Sequence, residues 1–257
     1  MLEKSYFLEE IPASGELKKR VLCVHGLNQN PEALKFFLKE LSYHGVQVFL
    51  LHLPGHNKSF KGEEVQFSEI SEAYTESYGL ITREHGKIDV FIGYSFGGLI
   101  GAYHFEECPF EKSILLAPAV RLKGITHGIK LILPFFKSIY SIPFVNKEYE
   151  RKYRFHQKGV PSSVYKSFFQ YYECFHKKNE SFFKKSKGLV FCHKGDELID
   201  YKKLKAWTQE KEHWKFLTLS NEKAVFKKYN HLCFDPTVLG DDQFKDLVQK
   251  SLNFLIN

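Results

Sequence analysis

Disulfide chemistry has little to work with in this chain. Its 257 residues hold five cysteines, Cys23, Cys108, Cys174, Cys192 and Cys233. The count is odd and no two are spaced C-x-x-C, which argues against a disulfide framework and fits a reducing, cytoplasmic compartment. Cys23 and Cys192 lie inside apolar runs, where a thiol serves as a small buried side chain. Long hydrophobic runs are also missing: Lys, Gly or Pro cuts every apolar stretch short of the roughly 20 residues needed to cross a bilayer. The first ten residues carry acids and no apolar centre, unlike a secretory leader. No tract is of low complexity and no repeat recurs. Metal-ligand spacings such as H-E-x-x-H are lacking, so neither a metal nor an organic cofactor is expected. The net charge is +7, but no nucleic-acid recognition motif accompanies it, and nucleic acid is not an expected partner.

What is present is an ordinary globular composition, 43% hydrophobic and 26% charged, in a chain long enough for one α/β domain with a substantial core. Strand-like runs occur at 6–11, 20–25, 47–51, 88–92, 113–117, 188–193 and 215–219. Helix-like runs separate most of them. Asn30-Pro31 reads as a helix start, with Asn as cap and Pro in the first turn. Phe67 to Glu84 is a long amphipathic run, and Asp242 to Leu255 is another at the C-terminal end. Alternating strands and helices with nearly continuous apolar strands predict an α/β fold. The expected architecture is a mostly parallel sheet of about seven strands with helices on both faces. The N-terminal segment is short, so the first hairpin is expected to be reduced.

One stretch carries chemistry. Gly93-Tyr94-Ser95-Phe96-Gly97-Gly98 follows the apolar run Ile88–Ile92 and precedes the helix-like run Leu99 to Glu107. A strand that turns into a helix at G-x-S-x-G strains the serine and leaves its hydroxyl at the tip of the turn. Gly93 and Gly97 carry no side chain to collide there. A serine nucleophile needs a base, the base needs an orienting acid, and the developing oxyanion needs N–H donors. In the fold that carries this elbow the chain order is Ser, acid, His. Asp196 stands just past the apolar run 188–193, with Glu197 and Asp200 as alternative acids. Beyond it, His231 lies in a polar break, whereas His193 falls within a strand-like run and His213 opens another. Upstream, the run ending Val24-His25-Gly26 offers the N–H of Leu27 as an oxyanion donor beside that of Phe96. His25 and His56 read as loop-fixing residues rather than bases.

With these pieces in order, the chain resembles the α/β-hydrolase superfamily over nearly its whole length. Within it, the chain resembles bacterial carboxylesterase and monoacylglycerol-lipase-like serine hydrolases through His25-Gly26-Leu27, Leu53-Pro54-Gly55-His56, the elbow, and Gly195-Asp196-Glu197-Leu198-Ile199. The resemblance implies a Ser95–His231–Asp196 triad acting through an acyl-enzyme. It also implies a helical cap over the site where residues 121–187 interrupt the strand–helix alternation, with residues 1–120 and 188–257 as the core. Many relatives read P-G-H-G-x-S, and Asn57 stands here where the second glycine would be.

Residues 121–187 hold 15 Lys or Arg against 4 Glu, together with 15 aromatic residues. That positive excess is larger than the whole chain's. A basic, aromatic-rich cap suits transient contact with a lipid interface, and it equally suits a cap that packs on the core and stays soluble. Pro134 and Pro143 prevent one continuous helix through its apolar stretch 129–145. The expected activity is hydrolysis of a small-molecule acyl ester: a short-to-medium chain ester, monoacylglycerol or lysophospholipid. A thioesterase or other acyl hydrolase is the alternative within the fold, and a non-catalytic binding protein on the same scaffold is the alternative outside it.

Overall fold

Each of the seven strand-like runs forms a strand of one sheet in the computed structural model, which describes residues 6–56, 64–139, 151–156, 159–178, 181–220 and 229–257. The strands are β1 (Phe7–Ile11), β2 (Lys19–Val24), β3 (Val46–His52), β4 (Val90–Tyr94), β5 (Lys112–Leu116), β8 (Lys187–His193) and β9 (Trp214–Leu219). Two short strands, β6 (Ser138–Ile139) and β7 (Val160–Pro161), pair apart from them. The order across the sheet is β1-β3-β2-β4-β5-β8-β9. Every neighbouring pair is parallel except β1 with β3, where Phe7 faces His52 and Ile11 faces Val48. The central strand β4 is buried along its whole length. A parallel strand covered on both faces has no polar side, which explains why these runs read as continuously apolar.

The helices follow equally local rules. The helix Phe67–His85 opens on a capping box, with Gln66 N–H donating to the Glu69 carboxylate at 2.6 Å. It buries Ile70, Ala73, Tyr74, Ser77 and Ile81, one face at helical spacing. Asn30 caps a 3-10 turn at Pro31–Leu34, and the helix Lys35–Ser42 continues from it. Among the described residues, no helix is long and apolar enough to cross a membrane.

Residues 121–187 add the helix Gly124–Ile132, the turn Leu133–Phe135, the β6–β7 pair and the helices Ser162–Lys177 and Ser181–Lys185. The sequence shows no strand here, because two-residue strands are too short for alternation to be read. Pro134 ends the first helix as expected, whereas Pro143 and Asn57 lie outside the described residues. The Ser162–Lys177 helix lies against the helix Phe96–Tyr103, with Phe168 and Tyr171 at 5.2 and 5.6 Å from Phe96. Phe183 packs on Trp207 at 4.1 Å and Trp214 at 4.6 Å. Much of the aromatic content of this region therefore packs it onto the sheet domain.

Candidate active site

The turn after β4 places Ser95 at φ 49° and ψ −112°, a conformation that costs a non-glycine residue strain. It is held from both sides: Ser95 N–H donates to Leu116 O at 2.9 Å, and Ser95 O accepts from Ala119 N–H at 3.0 Å. The two elbow glycines are required by close backbone approach. A Cβ on Gly93 would lie 2.5 Å from Gly98 Cα, and one on Gly97 would lie 2.1 Å from Val24 O. The helix starts directly at Phe96, three residues earlier than its glycines suggest, because those glycines let helix and sheet touch.

Ser95 Oγ donates to His231 Nε2 at 2.9 Å, and His231 Nδ1–H donates to Asp196 Oδ2 at 2.8 Å. The other carboxylate oxygen, Oδ1, accepts from the N–H groups of Leu198 and Ile199, each at 2.8 Å. Asp196 is fully buried, and Ser95 is only 8% exposed. Of the three candidate acids, Asp196 alone reaches the imidazole. Glu197 instead accepts the backbone N–H groups of Asn230 at 2.8 Å and His231 at 2.9 Å. Asp200 caps the helix Tyr201–Gln209 through Lys203 N–H. His193 accepts from Gly195 N–H within its own turn, and His213 is exposed. Tyr94 backs the imidazole at a ring separation of 5.2 Å and packs on Phe234.

Each member of the pair favours the charged form of the other. Burial works against protonating His231, but Asp196, by charge and hydrogen bond, outweighs it, and Glu197 adds to the rise above 6.5. Burial likewise raises Asp196, and the His231 charge and bond with the two backbone N–H groups reverse this, holding it below 3.8. His231 must be neutral to accept the serine proton. The acid limb of kcat/KM is therefore expected above pH 6.5, and Glu197→Gln should move it downward in a pH–rate profile. The stability signs are opposite for the two groups. The contribution of His231 is complete below about pH 6.5 and fades as pH rises through its folded value, while that of Asp196 is lost as pH falls through its own.

The expected oxyanion donor Leu27 lies just past the end of β2. Val24 pairs with Gly93, so the loop after β2 runs beside the elbow. Among the described residues, no acceptor takes the N–H of Leu27 or Phe96. His25 and His56 hold this loop. His25 donates through Nδ1 to Gly26 O at 2.8 Å and accepts from Leu53 N–H at 3.0 Å. His56 donates through Nδ1 to Pro54 O at 3.2 Å and accepts from Asn28 N–H at 2.9 Å. Burial pushes His25 well below the usual histidine range and His56 down to about 3, which keeps both rings neutral. Gly26 N–H is taken by Gln29 Oε1 at 2.8 Å. Sequence reasoning assigned nothing to Asn28 and treated Glu197 only as an alternative acid. Glu197 had one signal, its place beside Asp196 in the Gly195–Ile199 motif.

Residues 15–166 match the family described as serine aminopeptidase, S33. The fold is shared with a monoacylglycerol lipase from Paleococcus ferrophilus at 16% identity and a TM-score of 0.73, covering 98% of each chain. It is shared with a soluble variant of monoglyceride lipase from Saccharomyces cerevisiae, solved with a substrate analog. That match has 15% identity and a TM-score of 0.72, over 97% of this chain and 91% of the other. Est1E from Butyrivibrio proteoclasticus, solved with ferulic acid, follows at 15% identity and a TM-score of 0.66, over 98% and 94%. No curated protein matches the chain at the sequence level.

Proposed function

The chain belongs to the serine aminopeptidase (S33) family of α/β-hydrolases, and from that premise we propose that it is a serine carboxylic ester hydrolase acting on monoacyl esters. The observation that carries the proposal is the hydrogen-bonded line Ser95–His231–Asp196 beside two N–H groups that no acceptor among the described residues takes. The ester reading is supported by the monoacylglycerol lipase and esterase folds it shares.

In this reading Ser95 Oγ attacks the acyl carbon as its proton passes to His231 Nε2. Asp196 fixes the Nδ1–H tautomer and stabilises the imidazolium. The carbonyl oxygen becomes an oxyanion held by the N–H groups of Leu27 and Phe96, each contributing about 3 kcal/mol in the transition state. His231 returns the proton to the leaving alcohol, and the acyl–Ser95 ester remains. Water then attacks that ester, giving a proton to His231, and the carboxylic acid departs as Ser95 Oγ is reprotonated. Hydrolysis of p-nitrophenyl esters from acetate to palmitate tests this. A chain-length optimum is expected, and lack of turnover at every length would sink the ester reading. Matched oxygen esters and thioesters separate the esterase from the thioesterase.

Residues 121–187 act in this proposal as a cap that meets a lipid interface. Leu131 and Phe135 are 77% and 81% exposed, with Ile132 and Phe136 beside them, between Lys130 and Lys137. Apolar side chains rimmed by lysines suit a layer of acyl chains under polar head groups. Leu131→Ser combined with Phe135→Ser is expected to lower hydrolysis of emulsified monoacylglycerol several-fold while leaving the rate on dissolved p-nitrophenyl butyrate unchanged. Equal loss on both substrates would assign these residues to the acyl site instead.

A further inference from the structure

Asn28 stands between the loop that carries Leu27 and a strap formed by residues 151–156. Its backbone is left-handed, with φ 52°, and it is buried. All four of its polar groups are engaged. Asn28 N–H donates to His56 Nε2 at 2.9 Å, and Asn28 O accepts from Phe155 N–H at 3.1 Å. Its Oδ1 accepts from His156 N–H at 2.7 Å, and its Nδ2 donates to His156 O at 3.3 Å. A turn asparagine needs only tolerance of positive φ. Here the side chain also makes a two-way bond to a backbone more than a hundred residues away.

The strap is itself anchored. Gln29 bridges Arg154, and Asn30 N–H donates to Tyr153 O at 2.9 Å. His156 Nε2–H donates to Gly55 O at 2.8 Å, which joins the strap to the loop after β3 as well. On its far side the buried Tyr153 hydroxyl meets Thr237 Oγ1 at 2.8 Å, and Lys152 pairs with the buried Asp235 at 2.9 Å. Residues 235–237 follow closely on His231, so one short segment ties the oxyanion side of the site to the histidine side.

We infer that Asn28 is a positioning residue for acyl transfer: by fastening the 26–30 loop to the 151–156 strap it holds the Leu27 N–H where the tetrahedral oxygen forms. The inference rests on the ester-hydrolase reading. A donor that acts only in the transition state affects kcat and leaves KM in place. A loop that drifts by about 1 Å loses on the order of 10²-fold in rate.

The test is the rate of Ser95 labelling by a fluorophosphonate, with kcat and KM on a p-nitrophenyl ester, in the full-length protein. Asn28→Gly keeps the left-handed backbone and removes only the two bonds to His156. Asn28→Asp is isosteric and sets a carboxylate oxygen against His156 O. Both variants are expected to lower kcat and labelling at least about tenfold, with KM within about twofold. Asp200→Ala, which removes only a helix cap, serves as a control for stability loss. Labelling and kcat at the unmodified rate in Asn28→Gly, whatever its melting temperature, would overturn the inference alone. An unmodified protein whose Ser95 does not label at all would overturn both the inference and the ester-hydrolase reading beneath it.

Discussion

Ser95→Ala is expected to lower ester turnover at least about 10³-fold while the melting temperature holds or rises. The hydroxyl donates to His231 Nε2, and the substitution leaves the strained elbow without the group it serves. His231→Ala should match it in magnitude. The double variant should be little worse than either single one, because residues that act as one unit do not lose rate additively. Stopped-flow or steady-state assays on a p-nitrophenyl ester, with circular dichroism for fold, check all three. A single variant retaining full turnover would overturn the triad, and strictly multiplicative losses would show that the two residues act independently.

Asp196→Asn is expected to be comparably severe, on the order of 10⁴-fold in kcat, for a reason specific to this site. The Oδ1 position accepts two backbone N–H groups, from Leu198 and Ile199. An asparagine at 196 has one acceptor oxygen, and that N–H pair claims it. Its amide NH2 then faces His231 and donates to Nδ1, which forces the Nε2–H tautomer. An imidazole in that form has no lone pair for the serine proton. Asp200→Asn keeps a competent helix cap, and its kcat should stay within about twofold. If the Asp200 variant proves the more damaging in the same assay, the orienting acid has been misassigned.

The legible parts of this molecule are those governed by short-range pattern. The inner strands could be read because a parallel strand buried on both faces is apolar throughout, and β4 is the extreme case. The elbow could be read because Gly93 and Gly97 answer to clashes within a few residues and one strand away. Ser95 and Asp196 could be located because each follows the C-terminal end of a strand, and His231 because it stands in a polar break beyond β9. The helix after the elbow was harder, since Gly97, Gly98 and Gly101 weaken helix propensity but are needed for close packing. The β6–β7 pair left no period to detect. Glu197 and Asn28 were illegible as positioning residues for a different reason. Each acts through backbone groups of segments distant in sequence, Asn230–His231 for one and Phe155–His156 for the other. Local pattern holds no record of such an approach.

Ser95 and His231, the proposed nucleophile and base, are 136 positions apart, with Asp196 and residues 121–187 between them. During synthesis the elbow leaves the ribosome long before the histidine exists. Under the proposed mechanism, an elbow formed in that interval would hold its serine with no proton acceptor. Acyl groups met during translation would then encounter an inert hydroxyl, and a product truncated before position 231 is expected not to label with a fluorophosphonate. In the proposed mechanism the serine gains its base only once His231 joins the fold, in the segment whose following helix Asp241–Ile256 packs against the helix Lys35–Ser42. Arming of the serine is thus, in the proposed mechanism, a late event in the folding of a topology rich in distant pairings.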